Sequence, residues 1–441
     1  MNKKTENKAV SPWQWVPSLY FAQGIPYVVV MSVAVILFKR MGMSNTDIAL
    51  YTSGLNLPWV IKPLWSPLVD LLKTKRWWIV VMQILVGAGL AGIALTIQGP
   101  LAFRYCLAFM WLLAFSSATH DIAADGFYML GLNEKKQAYF VGIRNTFYRF
   151  AVIFGQGILV MFAGWLEQRY AREMPETAAI PQAWSLTFYL LTILFALLFV
   201  YHYLFVPHPR RDTCTLPPQQ ASAGRVFKEF LGTFTSFFQK KHIVSALIFI
   251  LLYRFAEAQL VKITSPFLLD TPATGGLALS TAEVGFIYGT IGVIALTIGG
   301  IVGGIAMARR GLKSCLWTMT IAMQLPNIVY LYLSFARPES IGIISGCVAI
   351  EQFGYGFGFT SLTYFMMLFS NGKHQTAHYA ICTGFMALGL MLPGMISGWI
   401  EESIGYRAFF VWIMLCTIPS FWATHLVRKN LTDNHSDNSS R

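Results

Sequence analysis

Hydrophobic residues run along this chain in long stretches, each close to the roughly 20 residues that cross a bilayer's hydrocarbon core as a helix. Twelve such runs can be marked, at about 14–38, 47–69, 77–97, 104–131, 138–166, 184–206, 243–268, 283–307, 315–335, 340–369, 377–401 and 407–427. Short polar segments separate them. The first run follows a basic MNKK start and could imitate a signal peptide, but it is too long and eleven more follow it, so it reads as a retained first span. Composition agrees: 55% of the 441 residues are hydrophobic and 12% are charged, against about one quarter charged in soluble proteins. The expected class is an all-α integral membrane protein.

The formal net charge of +13 raises the question of nucleic acid, and the positions of the basic residues answer it. With both termini on one side, that side collects 21 Lys and Arg residues, among them Lys3, Lys4, Lys73, Arg76, Lys135, Arg210, Arg309 and Arg428, while the other holds 7, from Lys39 and Arg40 to Arg407. The positive-inside rule then places both termini in the cytoplasm, and the excess charge is topological. No nucleic-acid partner is expected. The six cysteines show no C-x-x-C spacing, so neither a zinc site nor a disulfide framework is indicated, and no metal or cofactor is expected. Catalytic signatures such as H-E-x-x-H, G-x-S-x-G or a phosphate loop are missing, which disfavours an enzyme.

The longest polar break, around His208 to His242, falls between the sixth and seventh spans. It reads as a cytoplasmic linker, with Val226 to Phe238 a short surface helix. The expected organisation is therefore an N-terminal bundle over 1–206, a linker over 207–242 and a C-terminal bundle with a short tail over 243–441. Repeated features in the same order support two like halves. Ser44-Asn45-Thr46-Asp47 precedes the second span as Ser280-Thr281-Ala282-Glu283 precedes the eighth, both with capping-box character. Gln23-Gly24-Ile25-Pro26 in span 1 faces Thr264-Ser265-Pro266 in span 7, and Gly164-Trp165-Leu166-Glu167 ends span 5 as Gly398-Trp399-Ile400-Glu401 ends span 11. Two parallel six-helix bundles around a central cavity form the plan of the major facilitator fold.

Charged residues remain inside the expected spans: Lys62, Asp121, Asp125, Arg144, Arg149, Arg254, Glu257, Lys262 and Glu351. Each Arg, Lys or Asp costs about 2.5–3.5 kcal/mol at a helix centre, so these groups must face water or one another. Asp121 and Asp125 are four apart on one helix face, and Arg254 and Glu257 are three apart on another. One reading makes the two Asp residues structural counter-ions of Arg144 or Arg149. The other makes one of them a proton carrier, because burial raises a carboxylate's proton affinity and a nearby guanidinium lowers it. Asp125 is equally placed to bind a sugar hydroxyl. The candidate proton-coupling residues are Asp121, Asp125, Glu257 and Glu351. The candidate solute-binding residues are Gln23, Lys62, His120, Arg144, Tyr148, Arg149, Arg254, Lys262 and Gln352. A helix break is expected near Thr264 to Pro266, with a matching one at Gly24 to Pro26. Tryptophans 13, 15, 77, 78, 184 and 399 read as anchors at the membrane interface.

These residues resemble the AmpG-type muropeptide permeases, in the peptide/acetyl-coenzyme A transporter branch of the facilitator superfamily. The likeness rests on Leu64-Trp65-Ser66-Pro67-Leu68-Val69-Asp70, on Ser116 to Ile122 with Asp125, on Tyr148-Arg149, on Leu252 to Glu257 and on Glu351-Gln352. The resemblance implies proton-coupled import of an amino-sugar cell-wall fragment across a bacterial inner membrane, with protons and a small solute as the partners and the monomer as the working unit. A uniporter or exporter of another solute, or a polytopic enzyme or sensor, are the alternatives. This chain departs from the family at His120, where Gln is usual, at Tyr128 and Leu130, where a Lys and an acid are usual, and at Arg254 and Glu257, which stand for Lys and Asp. The charges in span 7 are kept while their reach changes, which leaves room for a different amino sugar or oligosaccharide.

Overall fold

A computed structural model describes residues 11–209, 212, 232, 234–371 and 375–439. Among these residues the chain forms helices and no strand. Twelve helical segments follow one another: α1 (Pro12–Arg40), α2 (45–72), α3 (Lys75–Thr96), α4 (Ala102–Gly131), α5 (134–170), α6 (Glu176–Phe205), α7 (Ile243–Leu269), α8 (281–310), α9 (312–336), α10 (Ile341–Ser370), α11 (375–404) and α12 (406–439). Eight helices among the described residues are long and apolar enough to cross a membrane, two of them double-length, Thr281–Ala336 and Ala377–Asn430. Those two divide at glycines. Gly311 (φ 72°, ψ 165°) turns α8 into α9 and Gly405 (φ 76°, ψ 161°) turns α11 into α12, conformations that a Cβ makes costly. Gly311→Ala and Gly405→Ala should each lower stability by about 1–3 kcal/mol. Thermal unfolding in detergent checks this, and an unchanged Tm would show that the turns are not strained.

The capping residues read from the sequence start their helices. Ser280 forms the full reciprocal box: its hydroxyl accepts from the Glu283 N–H at 3.3 Å, and the Glu283 carboxylate accepts from the Ser280 N–H at 2.7 Å. Ser44 accepts from the Asp47 N–H at 3.0 Å, but the shorter Asp side chain takes the Ser44 hydroxyl in return. The expected breaks are displaced. Pro26 and Pro266 both lie inside regular helix; α1 widens into a π-helical turn only at Val29–Val33, and α7 breaks at Tyr253 and Arg254, before Phe255. Pro266 sits near the C-terminal end of its helix, so the backbone hydrogen bond it removes and the carbonyl it crowds disturb little of the segment. Of the expected linker helix, 234–238 is helical and 226–231 lies outside the described residues.

Packing divides the chain into two units. Unit 1 is Met1–Val28, Trp65–Val152 and Ser185–Gln220; unit 2 is Val29–Leu64, Ile153–Trp184 and Ala221–Arg441. Within unit 1, α1 crosses α5 closely enough that a Cβ on Gly24 would meet the Ala151 methyl. In unit 2, α8 and α10 meet through Gly299, Gly303 and Gly356, where a Cβ would strike the backbone carbonyls of Phe353, Phe357 and Leu296. Small residues allow this approach where lipid supplies no hydrophobic drive. Two further crossings in unit 2 use the same device. Gly289 of α8 abuts the carbonyl of Gln156 in α5, and Gly398 of α11 abuts that of Asn45 in α2. At the α5–α8 crossing both helices are π-helical, over Ile153–Ile158 and Gly285–Gly292.

Large apolar side chains stand exposed over many helices, Leu95, Leu204, Val244 and Trp399 among them, as a lipid-covered surface requires. The tryptophans split. Trp13, Trp77 and Trp399 are exposed, whereas Trp15 and Trp184 are buried core residues and not anchors. Trp15 stacks edge-on against Phe127, and the Trp184 indole donates to Glu167 at 2.7 Å, so each spends its polar or aromatic edge inside the protein.

Candidate functional site

In unit 1 the i,i+4 spacing on α4 places both Asp carboxylates toward α1 and α5. The Asp125 carboxylate accepts from the Tyr20 hydroxyl at 3.0 Å and pairs with the Arg144 guanidinium at 3.3 Å. Arg144 also donates to the Tyr20 oxygen at 3.0 Å and lies over the rings of Tyr20 and Tyr128, 4.6 and 5.1 Å from their centroids. Asp121 accepts from the Gln23 amide. The pair is not sealed: the Asp125 side chain is 38% exposed and that of Arg144 26%. A carboxylate with this access can exchange a proton or meet a hydroxyl. Two buried polar atoms of the cluster, Gln23 Oε1 and Arg144 Nε, have no hydrogen-bond partner among the described residues. Each such atom costs about 1–3 kcal/mol when left unmet.

Tyr148 and Arg149 follow on α5, both half-buried. The Tyr148 ring contacts Tyr27 at 6.5 Å, and Arg149 forms no ion pair among the described residues. His120 is placed differently from its neighbours. It is buried on α4, with its Nε2 3.1 Å from the Gln83 amide nitrogen of α3; that amide also lies 2.8 Å from Nδ1 of His202, whose Nε2 meets the Ser18 hydroxyl at 2.9 Å. The chain His120–Gln83–His202–Ser18 ties four helices through neutral-type hydrogen bonds. It leaves the solute-facing role of His120 to be argued from its neighbour Asp121 alone.

Unit 2 holds the second cluster. Arg254 stands where α7 breaks, and the three-residue spacing lets it grip Glu257 with both arms, at 2.8 and 3.0 Å. Its guanidinium also donates to the Tyr355 hydroxyl at 2.7 Å and lies 4.9 Å from the centroid of the Phe359 ring. Both charged groups are buried, so the bidentate geometry and the tyrosine meet their desolvation. Glu351 on α10, also buried, accepts from the Tyr330 hydroxyl at 3.1 Å and from the Gln352 amide at 3.0 Å. Tyr288 of α8 interacts electrostatically with both Glu351 and Glu257, which joins the two acids into one neighbourhood. Lys262 is buried on α7 and donates to the Thr52 hydroxyl of α2 at 3.2 Å; no carboxylate pairs with it among the described residues. Lys62 lies half-buried on α2.

A third set of charges in unit 2 was not read from the sequence. Lys39 pairs with Asp270 at 2.7 Å and donates to Asn45 at 2.8 Å; Asn45 in turn donates to Glu401 at 2.7 Å. The Tyr406 hydroxyl donates to Asp270 at 2.5 Å. Nearby in chain order, Arg40 pairs with Glu167 at 3.1 Å and with Glu176 at 2.9 Å, and Glu167 accepts from Thr281 at 2.7 Å. These contacts join the ends of α1, α5, α7 and α11 to the starts of α2, α6, α8 and α12. Loop-end charges are ordinary in any membrane protein, and only the Gly-Trp-x-Glu repeat, which contains Glu167 and Glu401, signalled them. Tyr20, Tyr288, Tyr330 and Tyr355 were missed as well. The side chains of Pro67, Leu68 and Asp70 in the span 2 motif lie outside the described residues.

The sequence profile of the Major Facilitator Superfamily matches residues 18–370. A Rickettsia conorii protein named as transporter AmpG 4 is 25% identical over 415 residues, covering 92% of this chain and 93% of that one. The anhydromuropeptide permease of Escherichia coli K12 is 24% identical over 420 residues, covering 94% of this chain and 79% of its own. Among solved structures, a D-xylose–proton symporter superposes with a TM-score of 0.70 at 13% identity, over 95% of this chain and 97% of that one.

Proposed function

This chain belongs to the Major Facilitator Superfamily, a multi-pass transporter and not an enzyme, and from that premise we propose that it imports an amino-sugar cell-wall fragment together with a proton. The observation that carries the reading is the partly exposed Asp125, held between Tyr20 and Arg144 within a membrane helix. A fixed structural staple needs no such opening; a coupling carboxylate does. Asp121 on the same face is the second proton site, and Glu257 and Glu351 are the acids that respond in the other unit.

The orphan acceptor of Gln23 and the orphan donor of Arg144 suit a polyhydroxylated solute that brings both kinds of group. Tyr148 and Arg149, with His120 in support, are the further proposed solute contacts of unit 1, and Arg254, Lys262 and Gln352, with Lys62 in support, are those of unit 2. The name of the Escherichia coli relative supports an anhydro-muramyl disaccharide as the first solute to try. We place the protein in a bacterial inner membrane as a monomer, with the side of its termini, the cytoplasm, argued from its basic loops. The halves 1–206 and 243–441, joined by 207–242, act as the two bodies of an alternating-access cycle. In that topology the Lys39–Asp270 and Thr281–Glu167 contacts, each made between the halves, lie on the non-cytoplasmic side.

The test is uptake of labelled N-acetylglucosaminyl-anhydro-muramyl disaccharide into proteoliposomes with and without an inward proton gradient. Accumulation that depends on the gradient is expected. Gradient-independent equilibration would instead favour a uniporter whose Asp125–Arg144 pair is purely structural.

A further inference from the structure

Away from these clusters, a cavity of about 360 Å³ opens in unit 2 at the start of α7 and the end of α10. Its polar side is made by Lys240, Lys241 and His242, and its apolar wall by Phe365, Leu368 and Phe369. Among the described residues no acid lines it. His242 adopts a left-handed conformation (φ 61°) just before the first turn of α7, and its buried Nε2 has no hydrogen-bond partner among the described residues. Lys240 already donates to the carbonyls of Phe369 and Asn371, at 2.7 and 2.8 Å, which leaves the third ammonium donor for another group. Burial holds this ammonium below its ordinary pKa, so an anion beside it would favour the charge. Ser245, whose hydroxyl donates to the His242 carbonyl at 2.9 Å and accepts from the Asn430 amide at 2.6 Å, closes the same side.

The spare donor of Lys240 and the unmet imidazole of His242 above an aromatic wall match an amphipathic anion. The neighbouring surface fixes where it comes from: Val244 is 67% exposed and Leu368 41%, apolar positions that lipid would cover at the level of helix ends. We propose that this pocket binds the phosphate of an anionic phospholipid, with an acyl chain lying along Leu368 and Phe369. The volume suits a headgroup and the first carbons of a chain, near the lower limit of ligand pockets. The site is separate from the transport residues and adds a lipid requirement to them.

Native mass spectrometry of the full-chain protein tests the assignment, with phosphatidylglycerol, phosphatidylcholine and inorganic phosphate as probes. One phosphatidylglycerol should be retained in preference to phosphatidylcholine, and Lys241→Gln, at an exposed position, should reduce that preference about fivefold. Ser245→Phe keeps both lysines but fills the cavity, and should also lose the bound lipid. Equal retention of the two lipids would overturn the proposal, as would a Ser245→Phe variant that binds phosphatidylglycerol normally, because the cations alone would then suffice. Displacement of the lipid by millimolar inorganic phosphate would assign the site to the free ion and overturn the lipid. Tm values of both variants, compared with the parent, identify any loss due to misfolding; if a variant fails to fold, the lipid preference of the parent alone still decides.

Discussion

Asp125→Asn is expected to abolish gradient-driven accumulation while leaving the protein folded. A proton crossing about 100 mV supplies roughly 2.3 kcal/mol, enough for about a fifty-fold solute ratio. Asparagine cannot carry that proton, so the ratio should fall to unity. Folding should survive because the amide still accepts from Tyr20, and because the pair it breaks is partly exposed and screened. Equilibrium exchange of solute, which needs no net proton movement, should persist in the variant. If accumulation persists instead, Asp125 is not the coupling group; if the variant fails to express, the structural reading of the Asp125–Arg144 pair gains.

The second large effect is on stability. Arg254→Gln leaves the Glu257 carboxylate buried without its guanidinium, a change worth about 3–5 kcal/mol. That is a large part of the 5–15 kcal/mol or so by which a domain is stable. Glu257→Gln should cost a similar amount, since it strands the cation. The double variant Arg254→Gln/Glu257→Gln removes both charges and should recover most of the loss. A double-mutant cycle of thermal unfolding in detergent measures this coupling. Additive losses would show that the two groups are not one unit. The recovered double variant is expected to fold and yet fail to accumulate solute, which separates the stabilising role of the pair from its proposed role in transport.

How far the sequence foretold these sites depended on distance along the chain. Asp121 and Asp125, or Arg254 and Glu257, are linked by helical spacing alone, so their shared faces could be read directly. Arg144 was reachable as the basic residue of the next span. Tyr20, by contrast, is 105 residues from the carboxylate it serves, and Tyr355 lies 101 residues from Arg254. Nothing local distinguishes them from the other tyrosines of an aromatic-rich membrane protein. The hydrophobic runs located the twelve helices, but the prolines misplaced the breaks: Pro266, late in α7, disturbs little, and the actual break in that helix falls at Arg254. Tryptophans misled for a related reason. Composition puts them at the interface on average, while Trp184 is drawn inside by a specific acceptor, Glu167, 17 residues earlier.

The central claim is that solute and proton cross together through the Asp125 cluster. Its most direct measurement is the internal pH of lightly buffered proteoliposomes as labelled anhydro-muramyl disaccharide is added outside without a prior gradient. The account predicts acidification of the lumen in step with solute entry, and none with Asp125→Asn. Solute entry through the parent protein with no change in internal pH would contradict it.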